Sequence, residues 1–275
     1  MKISIGGYSF QNTFVEGKMD IFGYLESVKY RYGLNTVDLY NGFFVDKSKP
    51  VWELADDDYL RKIREALDEK EMTVINFAID TASLWDLDKD MRELQYQNAL
   101  KHLRAAEILG AQTVRIDTGG SYSNDPNGDF FKMSQEQFEH IAQRYQEYSR
   151  IAADFGSKVG PENHMGPSLN PHFLKQIAEA VDHPNFGILL HVDRWKVDPE
   201  LGDSIIAPWA CHVHFGGKTL AEEDHAIQIA KMLHDSGFND YWAIEHNAPS
   251  NQYVEVEWAV GSMKKILSKV TNGRK

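Results

Sequence analysis

Strand-like and helix-like segments alternate along this chain from its first residues almost to its last. The candidate strands are Lys2–Ser9, Thr36–Tyr40, Thr73–Ile79, Thr113–Thr118, Lys158–His164, Gly187–Asp193, Cys211–Phe215 and Tyr241–His246. Amphipathic stretches lie near Ile21–Tyr32, Asp58–Glu69, Met91–Leu109, Gln135–Asp154, Pro171–Val181, Ala221–Asp235 and Val254–Val270, and Pro199–Ile206 is a short helix at best. Gly33, Gly110, Gly156 and Gly237 each follow a helical pattern and precede a strand. Glycine there takes the left-handed C-cap conformation without a Cβ penalty. Strands alternating with helices imply a parallel sheet. Eight such repeats in 275 residues fit an α/β fold, a single-domain (β/α)8 barrel spanning residues 1–275. The alternative is an open doubly wound sheet. No Gly-x-Gly-x-x-Gly follows the first strand, which weakens a dinucleotide-binding reading.

The last four strand candidates each end in a metal-type ligand: Glu162, Asp193, His214 and Glu245. In a (β/α)8 barrel the C-terminal strand ends converge on one rim. Charged groups brought together there are costly without a cation between them. Three carboxylates and one imidazole suit a hard or borderline divalent ion, Mn²⁺, Mg²⁺ or Co²⁺, with Zn²⁺ also compatible. Side chains at i and i+2 of a strand share a face. Glu162 is therefore paired with His164, Asp193 with His191, His214 with His212, and Glu245 with Asn247. These companions are placed to orient ligands or to touch a substrate. Taken singly, a strand-end carboxylate is more often a cap or a surface ion-pair partner, and a lone strand histidine a hydrogen-bonded core residue. The joint pattern on successive strands points to a shared cation. Of His212 and His214, the second lies nearer the rim.

Composition narrows the partners. A formal charge of −12 disfavours a nucleic acid, whose phosphates need Lys and Arg. The single cysteine, Cys211, sits in an apolar strand and reads as a buried thiol. No secretory h-region precedes the first strand, and no apolar run approaches the ~20 residues of a membrane helix. The expectation is a cytoplasmic protein with neither a membrane nor a nucleic-acid partner. The turn-rich stretch Gly119–Phe131 reads as a loop over the catalytic face, a lid, or else as a surface insertion.

The Glu-Asn-His of residues 162–164, the Asp193 strand, the His-x-His of residues 212–214 and the Ile-Glu of residues 244–245 resemble the xylose-isomerase-like TIM-barrel superfamily. That group holds sugar isomerases, ketose 3-epimerases, inosose dehydratases and AP endonucleases of family 2 type. The resemblance covers essentially the whole chain. It implies a metal-dependent isomerase or epimerase acting on a small sugar-like substrate. Glu162 and Glu245 would move the proton, and Asp193 and His214 would act as pure ligands. A homo-oligomer is a further implication by analogy. The alternatives are an inosose-type dehydratase and a non-catalytic sugar-binding barrel. Three histidine-rich metal sites of the endonuclease type find no match, since the first three strands carry no histidine. Where epimerases carry His three residues after the metal Asp, this chain has Lys196. Where they carry a second Glu, it has Ser168. Lys218 stands in the loop after strand seven, with no matching Arg. Lys196 and Lys218 are candidates to hold a carboxylate or phosphate, or a developing oxyanion. Arg115, which shares a face with Asp117, either pairs with that carboxylate or contacts substrate, and His164, His191 and His212 are further candidate substrate contacts.

Overall fold

A computed structural model describes residues 2–120 and 132–272. Eight parallel strands form the centre: β1 (Ile3–Ile5), β2 (Thr36–Tyr40), β3 (Thr73–Ile79), β4 (Thr113–Ile116), β5 (Lys158–Gly160), β6 (Ile188–His191), β7 (Ala210–Phe215) and β8 (Trp242–Ile244). They pair as two ladders, β1-β8-β7-β6 and β2-β3-β4-β5. Isolated bridges join the ladders at two seams. Gly6 bridges Asp38 between β1 and β2, and Val159–Phe186 and Glu162–Leu189 bridge β5 and β6. The strands thus follow one another around a barrel whose hydrogen bonding is continuous within each half and sparse between halves.

Local signals explain the helices. The helix Lys89–Leu109 starts where Asp88 accepts from the backbone N–H of Asp90 and Met91, and stops at Gly110, whose φ is +68°. A left-handed residue at that point ends the helix without a Cβ clash. Its buried face carries Ala99, Leu103, Ala106 and Leu109, the three-to-four spacing of one helical stripe. Gly33, Gly156 and Gly237 also have positive φ, as the sequence pattern requires. Helices Asp57–Glu69, Gln135–Asp154 and Pro171–Val181 match their expected spans within a residue.

Three expectations shift. The first long helix stops at Glu26 and continues as a π-type turn over Ser27–Arg31. The helix expected over Ala221–Asp235 is two, Gly217–Ala221 and Glu223–Asp235. A small antiparallel hairpin, Val45–Asp46 with Glu53–Leu54, follows β2 and was not anticipated, because strands of two residues carry no periodicity. The proposed lid begins at Gly119, which bridges Trp85. From residue 121 to 131 that loop lies outside the described residues. Among the described residues no helix is long and apolar enough to cross a membrane.

The apolar core fills the space between strands and helices. The inside of the barrel is polar instead. Asp38, Asn76, Arg115 and His212 point inward and are each at most 5% exposed. Asn76 donates to Asp38 (2.8 Å), and Thr113 donates to Asn76 (2.9 Å), so the layer is cross-linked from β2 to β4. Buried polar groups persist only when paired in this way.

Candidate functional site

The C-terminal ends of β5 to β8 bring Glu162, His191, His214 and Glu245 together. One ligand atom from each lies within 4.8 Å of all the others. His191 and His214 are in register on neighbouring strands. His191 Nδ1 lies 3.3 Å from Glu162 Oε1 and 3.1 Å from Glu245 Oε2. His214 Nδ1 lies 3.2 Å from the same Glu245 oxygen. Asn163 fixes the two strand ends: its amide donates to His191 O and its carbonyl accepts from His191 N, at 2.8 and 2.7 Å.

Asp193 is not in this group; the structure puts His191 there. The strand β6 ends at His191, and Asp193 adopts φ +63°, which turns the chain away. Its carboxylate accepts from Thr219 Oγ1 at 2.6 Å and contacts His225 Nε2 at 2.9 Å. Both partners belong to outer elements. Strand parity carries Asp193 to the site only if the strand continues, and it does not.

Asp38 completes the arrangement from below. Its Oδ2 receives His214 Nε2 at 2.6 Å and His212 Nε2 at 2.7 Å. His212 is thus a layer deeper than the ligand group, fully buried. With Nε2 committed to Asp38, His214 presents Nδ1 to the cluster, the carboxylate–imidazole orientation common for metal-binding histidines. Burial opposes a charge on Asp38, but the imidazoles of His214 and His212 outweigh it and hold the carboxyl well below its usual range. Burial likewise disfavours the His214 imidazolium, yet Asp38 and Glu245 push its pKa up to about 10. For His212 burial wins, and its proton affinity falls.

Two arginines compensate the glutamates. Arg115 reaches Ile79 O, Asp80 and Asp117 through Nη1 at 2.8–2.9 Å, and its Nε lies 3.3 Å from Glu162 Oε2. Arg194 Nη1 lies 2.6 Å from Glu162 Oε1, and its Nη2 is 3.5 Å from Glu245 Oε2. Burial resists ionisation of Glu162, but His164, Arg194, His191 and Arg115 hold it well below the ordinary carboxylate range. Glu245 is held down in the same direction by His214 and His191 against its burial. Arg194 escaped the sequence reading. Its signal was the position three residues after the metal ligand, which counts to Lys196 from Asp193 but to Arg194 from His191.

The other sequence candidates separate cleanly. His164 lines the cavity, with Nδ1 2.9 Å from Asp117 Oδ2. Burial opposes its charge, but Asp117 and Glu162 raise its pKa to about 9. Ser168 is buried and holds the turn beyond β5: its Oγ accepts from His164 N and Met165 N. Lys196 and Lys218 are exposed and do not line the cavity. The cavity itself is about 570 Å³, with Asp38, Glu162, His214 and Glu245 in its floor and Tyr40 and Trp52 in its wall.

These residues fit a divalent cation. Two carboxylates and two imidazoles converge, His214 is oriented by Asp38, and His191 Nδ1 is buried without a hydrogen bond while facing both glutamates. Compared with the expected set, one carboxylate is exchanged for an imidazole, which moves the donor set toward borderline cations.

The profile of the xylose isomerase-like TIM barrel family matches residues 31–266. The chain belongs to this family. Among solved structures, a probable 3-DHS dehydratase, AsbF from Bacillus anthracis, is similar with a TM-score of 0.69 at 15% identity, covering 96% of this chain and 99% of that one. D-psicose 3-epimerase from Clostridium cellulolyticum H10 is similar with a TM-score of 0.71 at 13% identity, covering 98% and 99%. A xylose isomerase-like TIM barrel protein from Mycobacterium smegmatis, in complex with magnesium, gives 0.70 at 12% identity, covering 98% and 97%. At these identities the likeness shows the shared fold. No curated protein matches the chain by sequence. For this xylose isomerase-like barrel the comparisons support a sugar isomerase/epimerase-like family, with a dehydratase among its neighbours.

Proposed function

We propose that this xylose isomerase-like barrel is a divalent-cation-dependent isomerase or epimerase of a sugar or sugar derivative. The observation that carries the reading is the pair Glu162 and Glu245, one buried and one half-buried, both within 3.3 Å of His191 Nδ1 in one cluster at the cavity floor. A cation held by Glu162, His191, His214 and Glu245, with Mn²⁺ or Co²⁺ suited to that donor set, would supply Lewis-acid stabilisation of the charge that builds on a ketose oxygen.

The chain's own residues do the rest. Both glutamates are held ionised, the state a base needs. One takes the proton α to the carbonyl, and the C–H electrons pass to the carbonyl oxygen as an enediolate. The other, having taken a proton from solvent, delivers it to the opposite face of that carbon or to its neighbour as the enediolate collapses back to a carbonyl. The first gives its proton up to solvent. Delivery to the same carbon is epimerisation, and delivery to its neighbour is isomerisation. Arg115 and Arg194 fix the orientation of Glu162 through opposite oxygens. The aromatic wall of Tyr40 and Trp52 limits water around the reacting carbons.

The test is turnover of a panel of ketoses and aldoses in D2O with added Mn²⁺, Mg²⁺ or Co²⁺. Deuterium should enter at the carbon next to the carbonyl. Glu245→Gln and Glu162→Gln should each lower turnover by about 10²–10⁴-fold. Metal content must be measured alongside, because both are also ligands. Undiminished turnover in either variant would sink the assignment.

A second reading, dehydration, is favoured by one observation. His164, held as an imidazolium by Asp117, lines the cavity and is placed to protonate a departing hydroxyl. Appearance of an ultraviolet-absorbing unsaturated carbonyl product, with no epimer, would select it.

A further inference from the structure

The cavity carboxylates are all engaged. Asp80 is paired with Arg115 and accepts from Tyr40 OH, and Asp38 holds the two imidazoles of β7. Glu162 and Glu245 both pair with Arg194 and with the neighbouring imidazoles. The cavity cations are less evenly placed. Arg115 is surrounded by Asp80, Asp117 and Glu162. Lys47 has no carboxylate partner among the described residues. It lines the cavity from the hairpin after β2, with Nζ 4.4 Å from the Trp52 ring centre, 5.6 Å from Tyr40 and 5.8 Å from Phe14. Three ring faces hold it as an ordered cation rather than one sweeping through solvent. Burial among them already lowers its proton affinity, against a weaker pull from Asp80.

Arg194 adds a conditional charge. Its anions are the two glutamates that would hold a divalent cation. Once those oxygens serve a cation, the guanidinium keeps its place on the cavity wall but loses its counter-charge. A loaded site then presents two cations with no carboxylate of their own, Arg194 and Lys47, to whatever fills the 570 Å³ cavity. A neutral polyol would bury them without relief. A carboxylate or phosphate relieves both, and the planar guanidinium fork matches either group.

The geometry points to an anionic substrate, a sugar acid or sugar phosphate, whose charged end docks on Lys47 and Arg194 and binds cooperatively with the divalent cation. This deepens the isomerase reading and rests on its cation being held by Glu162, His191, His214 and Glu245. It also moves the anion contact foreseen for Lys196 and Lys218 to residues that face the cavity.

Linkage makes the claim measurable without turnover. If an anion tightens the cation, the cation tightens the anion by the same factor. The experiment is calorimetric titration of Mn²⁺ into the EDTA-stripped full chain, alone and with matched ligand pairs. D-gluconate is compared with D-glucitol, and D-fructose 6-phosphate with D-fructose, each corrected by a protein-free blank. One anion of the two should tighten Mn²⁺ by about 5-fold or more, and its neutral partner should not. The pair that responds identifies the charged group as carboxylate or phosphate. Lys47→Met, which keeps a long apolar stem against the three rings, should abolish most of the coupling, and Arg194→Met should do the same. Equal coupling by charged and neutral partners, or coupling that survives both substitutions, overturns the inference and leaves the cation reading standing. Failure of the wild-type chain to take up Mn²⁺ overturns both.

Discussion

Arg194 Nη1 sits 2.6 Å from Glu162 Oε1, so a side chain from the end of β6 neutralises the glutamate that ends β5. The same guanidinium reaches Glu245 at 3.5 Å. It occupies the charge role that a divalent cation would take, and the two compete for the same oxygens. Arg194→Met should therefore bind Mn²⁺ more tightly than the wild type, by roughly 10-fold, the factor that about 1.4 kcal/mol of released ion pairing would give. The metal-free variant should melt earlier, because buried Glu162 loses its nearest cation, and Mn²⁺ should restore its stability. Weaker Mn²⁺ binding in the variant would contradict this.

His191 and Asp193 make opposite predictions. His191→Leu removes a side chain from the ligand group and should abolish high-affinity Mn²⁺ uptake measured by calorimetry. Asp193→Asn should leave it largely intact, since that carboxylate binds Thr219 and His225 instead. The reverse result would restore the ligand set expected from the sequence.

Asp38, in the cavity floor, fixes the ring of His214. Asp38→Asn should lower Mn²⁺ affinity by about 10–100-fold, the usual effect of removing a partner that orients a ligand. His212 shares that carboxylate oxygen, so the loss should be accompanied by reduced thermal stability.

Cation uptake should release a proton. His214 has a pKa near 10 between Asp38 and Glu245, so at neutral pH it is protonated on the nitrogen a cation needs. The free state thus holds one more proton than the bound state. Mn²⁺ affinity should then rise by about tenfold per pH unit below that pKa. Calorimetry in buffers of different ionisation enthalpy should report about one proton released.

Asp203 gives a stability signature away from the ligands. Its Oδ1 accepts from Trp195 Nε1 at 2.6 Å, and burial pushes its pKa up to about 6. A carboxyl with a raised native pKa contributes stability that is complete below its unfolded value, near 4, and lost as pH rises through 6. Asp203→Asn does not titrate. Between pH 4 and pH 8 the variant should gain on the wild type by about 2 kcal/mol in chemical denaturation. A constant difference across that range would count against the shift.

Much of the barrel could be read from the sequence because its signals are local. Helical stripes, the glycines at Gly33 and Gly110, and apolar runs such as Ile188–Leu190 all act within a few residues. The site was legible as a set of strand ends but not in its membership. A left-handed backbone at Asp193 reverses which side chain reaches the floor, and a single φ leaves no periodic trace. Arg194 was missed for the same reason, since its place depends on counting from His191. Asp38 lies far from its imidazole partners in the chain, and only closure of the barrel makes them neighbours. Lys47 stands in the loop of a hairpin too short to show itself in a pattern.

The two seams of the barrel have a mechanical consequence. Asp38 lies in the ladder β2-β3-β4-β5 and Glu162 just beyond its β5, whereas His191, His212 and His214 lie in the other ladder and Glu245 just beyond its β8. Every contact between these sets crosses a line where backbone pairing is reduced to isolated bridges. The charged floor therefore rivets one half-barrel to the other. A molecule stripped of that rivet should breathe along two lines on opposite sides of the barrel, with amide exchange quickening beside Asp38 and Glu162 before the interior of either ladder opens.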